Sequence, residues 1–158
     1  MPTLRETIET DLSATESFAF IADFANAPAW DPGTATSERL DSGPVGAGAR
    51  YRLGVRMRGK VVPMEYRIET FEPDRRVVLR GEGSGVSARD EIAFHPTESG
   101  TGRGSGTRIE YVAEIHLKGP MRVVEPLLGG LFAKIGRDAR DGMQRALDQL
   151  ARAAGSAG

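Results

Sequence analysis

Asp90 is the residue of this chain whose position most invites chemistry. Over Val86–His95 the apolar residues Val86, Ala88, Ile92 and Phe94 occupy every second position, and Asp90 shares their phase. A strand here aims the Asp90 carboxylate at the interior those side chains face. Such a charge is costly unless a hydrogen-bond partner, a water or a polar ligand group meets it, and burial raises its pKa. A carboxyl group placed this way can give or take a proton. The structural alternative is an aspartate at the sheet end that reaches solvent or pairs with Arg89 or Arg80. A bulge after Gly85 would also turn it outward. Three tyrosines, Tyr51, Tyr66 and Tyr111, fall on apolar strand faces, each with a large ring and one hydroxyl that needs a partner. They read either as core with hydroxyls at the rim, or as pocket walls that orient a carbonyl or phenol. Met57 and Met64 add adaptable, polarizable walls.

Other chemistries have less support. The chain has no cysteine, which excludes disulfides, thiolate catalysis and Cys-type metal sites. Its only two histidines, His95 and His116, lie on the polar phase of their strands and read as solvated surface. No metal site and no cofactor are expected. Gly46-Ala47-Gly48 and the Gly-rich runs 81–85 and 100–106 do not open a helix after a strand, so they read as turns and not as phosphate cradles. Arg50, Arg52, Arg56 and Arg58 form an outward row, but Glu65, Glu69, Glu110 and Glu114 share that face without interleaved aromatics. That is a solvated, ion-paired face, and no nucleic acid is expected on it.

The elements that must position these residues are legible in the periodicity. Thr3–Leu12 reads as an outer strand. Ser13 and Glu16 form a capping box for a helix carrying Phe18, Ile21, Ala22 and Phe24, expected to end near Asn26 because Pro28 follows. Trp30-Asp31-Pro32-Gly33 is turn chemistry, with Trp30 a plug at the helix-to-sheet junction. From Glu38 to Lys118 the period is two. Tyr51, Leu53, Val55 and Met57 face one way, as do Val62, Met64, Tyr66 and Ile68. A hairpin pairing Met57 with Val62 sets Leu53 opposite Tyr66 and Arg50 opposite Glu69. Strands follow at Arg76–Glu82, Val86–His95 and Thr107–Lys118. Apolar residues from Val124 to Leu150 then recur at helical spacing, predicting one helix from Pro126 to Ala153. At 1.5 Å per residue it is ~42 Å long, about the width of the whole domain. Gly129, Gly130, Ala133, Gly136 and Ala139 sit near its apolar stripe, and glycine's cost in a helix implies close packing, ligand space or a mobile first turn.

The 158 residues suit one domain, 1–154, with 155–158 as a disordered tail. No run approaches the apolar length of a membrane span, and charges interrupt the first 20 residues where a secretory signal would lie, so a cytoplasmic protein without membrane insertion is expected. A net charge of −1 gives no global field for anionic partners. The 18 Arg to 3 Lys ratio reads as coding bias.

A strand, a short helix, an antiparallel meander of six or seven strands in all and one long C-terminal helix make an α+β fold. In this order, SATESFAFIADF (Ser13–Phe24), Pro28-Ala29-Trp30-Asp31-Pro32, the GxGxRY opening of a strand (Gly46–Tyr51), GTRIEY (Gly106–Tyr111) and the Leu-rich helix after Gly119-Pro120 are similar to the START-like, or SRPBCC, superfamily. Within it the chain resembles the polyketide cyclase/dehydrase-like group. The resemblance implies a helix-grip fold, a curved antiparallel sheet wrapped around the C-terminal helix, and a hydrophobic cavity for lipids, polyketides or other apolar molecules. It implies no single reaction.

The expected function is therefore binding of a hydrophobic small molecule. The expected walls are Tyr51, Leu53, Met57, Met64, Tyr66, Asp90, Ile92, Phe94, Tyr111, Leu128, Phe132 and Ile135. The alternative is a cyclase or aromatase in which Asp90, the catalytic candidate, and the tyrosines handle protons at an enolising carbon. A third reading is a groove presented to a partner chain. A monomer or homodimer fits either of the first two. The loop at Gly81–Gly85, the Met57–Val62 turn and the Gly119–Gly130 segment are the expected cover.

Overall fold

The structure is a computed structural model that describes residues 3–57, 59–98 and 106–157. Seven strands form one antiparallel sheet: β1 (Thr3–Thr10), β2 (Thr34–Arg39), β3 (Arg50–Met57), β4 (Lys60–Glu72), β5 (Arg76–Gly83), β6 (Val86–Thr97) and β7 (Gly106–Leu117), in the order β1-β7-β6-β5-β4-β3-β2. Register shifts between Thr34 and Thr36 and between Ile68 and Thr70 bend the sheet, as bulges do. The helices are α1 (Ala14–Ala22), α2 (Ala27–Trp30) and α3 (Gly129–Ala157). This is the expected α+β helix-grip arrangement.

The capping box is present: the Ser13 hydroxyl accepts from the Glu16 amide at 3.1 Å, and the Glu16 carboxylate accepts from the Ser13 amide at 3.2 Å. α1 stops at Ala22, earlier than the expected end at Asn26. A 3-10 turn (Phe24–Asn26) and then α2 follow, and Pro28 occupies the first turn of α2. There the missing proline N–H has no helical partner to lose, so Pro28 begins a short helix where it was expected to end a longer one.

The β3–β4 hairpin has the expected faces but another register. The strands close at Met57 opposite Lys60, with Gly59 at φ 76°, so Leu53 faces Met64 and Tyr51 faces Tyr66. A tight turn with a glycine in the left-handed region displaces the wider turn expected, shifting the pairing by two residues. Because side chains alternate with period two, a two-residue slip preserves which face is buried. Arg50 consequently faces Arg67 and not Glu69, while Arg52 faces Glu65. Glu69 pairs instead with Arg80 at 2.9 Å. The outer face carries further ion pairs, among them Arg76–Glu91 and Arg108–Glu110, and His95 lies 3.5 Å from Glu110. Arg58 and most of the loop between β6 and β7 lie outside the described residues.

The C-terminal helix begins at Gly129, not Pro126. Gly119–Leu128 forms a 3-10 helix that contains Pro126 and buries no residue. Pro120 and Pro126 each lack an N–H, which weakens regular α-helical bonding along this stretch. At its other end α3 reaches Ala157, past Ala153 and through residues 155–157, which the sequence leaves as tail. α3 lies along β1. Gly136 sits against Leu4, Arg140 lies 3.6 Å from Glu6, and Gln144 donates to the Glu9 carbonyl at 2.7 Å. Gly142 is the tightest glycine of α3: an added Cβ would stand 2.0 Å from the Trp30 carbonyl oxygen. Gly129 and Gly130, by contrast, face open space.

Candidate functional site

Between the concave sheet face and the first turns of α3 lies an inner cavity of about 110 Å³. β4, β6 and β7 put Tyr66, Asp90 and Tyr111 on its wall; Met57 and Met64 come from β3 and β4, and Phe132 and Ile135 from α3. An outer chamber of about 270 Å³ shares Arg56, Met57, Val86, Phe132 and Ile135 with it. Leu128 lines only this outer chamber. All three expected covering segments border the chamber: Met57 and Val62 at one hairpin, Ser84 and Gly85 at another, and Met121 and Leu128 from the 3-10 helix.

Tyr51, Leu53, Ile92 and Phe94 are placed elsewhere. All four are buried in the core, and none lines either chamber. The Tyr51 ring packs against Phe24, and its hydroxyl has no hydrogen-bond partner among the described residues. Phe94 stacks edge-to-face on Phe18 at 5.2 Å. Trp30 is a buried plug, as expected, set between Phe24 and Tyr111 with ring centroids 6.0 Å from each.

Asp90 is 6% exposed, and its partner is neither expected arginine. Arg80 pairs with Glu69 and Arg89 lies 3.6 Å from Glu91 on the outer face. Inside, the Tyr111 hydroxyl donates to Asp90 Oδ2 at 3.0 Å. Burial pushes the Asp90 pKa up to about 7; the Tyr111 hydrogen bond opposes the rise, and the nearby Asp31 charge adds to it. The same burial, with the Asp90 charge, lifts the Tyr66 and Tyr111 hydroxyls well above the ordinary tyrosine range. Tyr66 can lie flat against β5 because its strand partner is Gly81, where a Cβ would stand 2.5 Å from the Tyr66 ring.

Asp31 is the site residue that strand periodicity does not reveal. It lines the inner cavity from the irregular segment after α2, where only its turn role is readable from the sequence. The turn is real: Asp31 Oδ1 accepts from the Gly33 amide and Oδ2 from the Thr34 hydroxyl, both at 2.9 Å. Burial raises its pKa, and these two bonds and Arg56 oppose the rise. The small residues that leave room for the cavity, Ala88, Ala113, Gly136 and Ala139, also belong to its wall. Of these, Gly136 and Ala139 stand on the stripe noted in the sequence.

The cavity thus combines apolar walls, two carboxyl groups and two tyrosines, an arrangement able to bind an apolar body and to exchange a proton with it. No group of three or more metal-ligating side chains occurs among the described residues, and no helix there is long and apolar enough to cross a membrane. No curated protein matches the chain in sequence. The fold is similar to that of a START superfamily protein from Mycobacterium smegmatis, at 17% identity and a TM-score of 0.76, covering 94% of this chain and 98% of that one. It is similar also to the Zhui aromatase/cyclase from Streptomyces sp. R1128, at 15% identity and a TM-score of 0.71, covering 95% and 93%. One half of the di-domain ARO/CYC BexL matches at 16% identity and a TM-score of 0.64, covering 94% of this chain and 46% of that one. At these identities the likeness is one of fold. The sequence pattern itself carries the closer relationship, matching over residues 1–155, and by that match the chain belongs to the polyketide cyclase/dehydrase and lipid transport family.

Proposed function

We propose that this protein binds a hydrophobic small molecule, of lipid or polyketide type, in the cavity between the sheet and α3. The observation that carries the reading is the apolar inner cavity, continuous in its wall residues with the outer chamber and holding one polar focus at Asp90 and Tyr111. Apolar ligand surface removed from water there contributes roughly 25 cal/mol per Å², and the polar focus fixes orientation. Prodan, a neutral carbonyl-bearing apolar dye, tests it. One dye should bind per chain with blue-shifted emission, and native mass spectrometry of freshly purified protein should show any apolar molecule that co-purifies. Prodan emission unchanged by the protein would sink the reading.

A cyclase or aromatase reaction in the same cavity is the second reading, favoured by one observation. Asp90 has a pKa raised to about 7 and touches a tyrosine hydroxyl, so it is poised to give or take a proton at an enolising carbon. Turnover of a poly-β-ketone that Asp90→Asn abolishes, in a variant that still binds prodan, would establish it. Turnover unchanged in that variant would remove Asp90 from the chemistry.

A further inference from the structure

The polar groups of the inner cavity are incompletely matched by the protein itself. Both oxygens of Asp31 accept hydrogen bonds, from Gly33 and Thr34. Asp90 accepts one, from Tyr111, and no donor among the described residues reaches its other oxygen. Tyr66 lines the same wall, is only 8% exposed, and its hydroxyl has no hydrogen-bond partner among the described residues. That hydroxyl is an observation separate from the two carboxylates. Unlike the sealed Tyr51 hydroxyl, the second Asp90 oxygen and the Tyr66 hydroxyl are open to the cavity, where a ligand group can reach both.

Charge decides what kind of group. Two carboxyl groups line the cavity, and the Asp31 charge makes ionising Asp90 harder. Arg56 is the one cationic side chain among the described residues of this wall. It is exposed, and its guanidinium donates to the Pro32 carbonyl at 2.6 Å. An incoming carboxylate or phosphate would add a third anion. A carbonyl can accept from the Tyr66 hydroxyl, or from Asp90 while it keeps its proton, but like a hydroxyl it leaves the charge of the two carboxyl groups uncompensated. A protonated amine brings three N–H donors together with the missing positive charge. The faces of Tyr66 and Tyr111 add cation–π attraction.

We propose that the inner cavity takes an apolar molecule ending in a protonated amine, its ammonium held between Asp31 and Asp90 beside the Tyr66 hydroxyl and its body along Met64, Ile115 and Phe132. The proposal rests on the ligand-binding reading and narrows it to one ligand class. Binding the ammonium requires Asp90 ionised, so affinity for the amine rises as pH passes upward through about 7. The titratable groups that face the pair are Tyr66 from β4, Tyr111 from β7, Arg56 from β3 and Asp138 from α3; β1 brings Leu4.

The test is calorimetry on the full chain with naphthylmethylamine and its neutral isostere naphthylmethanol. At about pH 8 the amine should bind roughly tenfold or more tightly than the alcohol, the range of a charge-assisted hydrogen bond. That preference should shrink at about pH 6 and vanish in Asp90→Asn, where 2-ethylnaphthalene, which has no polar group to meet Asp90, still binds and shows an intact cavity. Should Asp90→Asn not fold, Asp31→Asn carries the same comparison, with a reduced preference expected. Equal affinity for the two probes in the wild type, or a preference unchanged in the variant, overturns the proposal and leaves the cavity as a binding site. If neither probe binds, nor prodan, the ligand-binding reading falls with it.

Discussion

The concave face of the sheet has two ends, and the same helix packs differently over each. At the end beneath α1, Phe18 stacks edge-to-face on both Phe71 and Phe94 at 5.2 Å, and Met143 and Leu147 of α3 are fully buried. At the other end α3 brings Gly136 and Ala139 over Ala88 and Ala113, and the preceding 3-10 helix buries nothing, leaving Val123 and Leu127 about four-fifths exposed. Strand pairing runs unbroken along β6 and β7 between the two ends. Side-chain volume, more than backbone course, therefore makes the cavity: large aromatics close one end, and small residues with two carboxyl groups hold the other open. One end stores stability and the other forgoes it for space.

Truncation should separate the ends most sharply. Phe94→Ala should cost about 3–5 kcal/mol in chemical denaturation, the range for deleting a buried aromatic. Ile135→Ala, at the partly exposed cavity wall, should cost about 1 kcal/mol. Equal costs would break the comparison.

The next effect is on pH dependence. The folded pKa of Asp90, about 7, lies above its ordinary value of 3.8, so folding favours the protonated form. The associated stability is full below about pH 4 and is lost as pH rises through about 7. Relative to Asp90→Asn, the wild type should lose up to about 4 kcal/mol across that window. The upward shift of Asp31 acts in the same direction in both proteins. Parallel stability curves for the two proteins would show that Asp90 stays ionised.

Filling the open end tests it without touching the closed one. Ala113→Leu points into the inner cavity and should weaken prodan binding by roughly tenfold while changing stability by no more than about 1 kcal/mol. Undiminished binding would place the ligand elsewhere. The smallest effect belongs to Gly129→Ala. Its backbone is helical at φ −55° and nothing lies within 4 Å of an added Cβ, so a gain of about 0.4–1 kcal/mol in thermal unfolding is expected. A loss would mean that the glycine serves the movement of this segment.

Local patterns carried the elements and their faces. Period-two alternation placed Met64, Tyr66, Asp90 and Tyr111 inward, and the Ser13–Glu16 capping box marked the start of α1. These follow from the sequence because they depend on neighbours a few residues apart. The hairpin register did not, since a slip of two residues keeps every face and only the geometry of the turn chooses between them.

By itself, then, the sequence determined which side chains point inward and the family they serve. Tertiary structure decided which of them meet a cavity and which meet one another. Ile92 and Phe94 share a strand face with Asp90, yet α1 covers the Phe94 end and leaves Asp90 facing the cavity. Asp31 joined Asp90 only because α2 and the bend after it return the chain to the open end of the sheet. Periodicity reports direction along one strand; burial, the pairing of Tyr111 with Asp90 and the raised Asp90 pKa arise from surfaces that meet only when the sheet closes over α3.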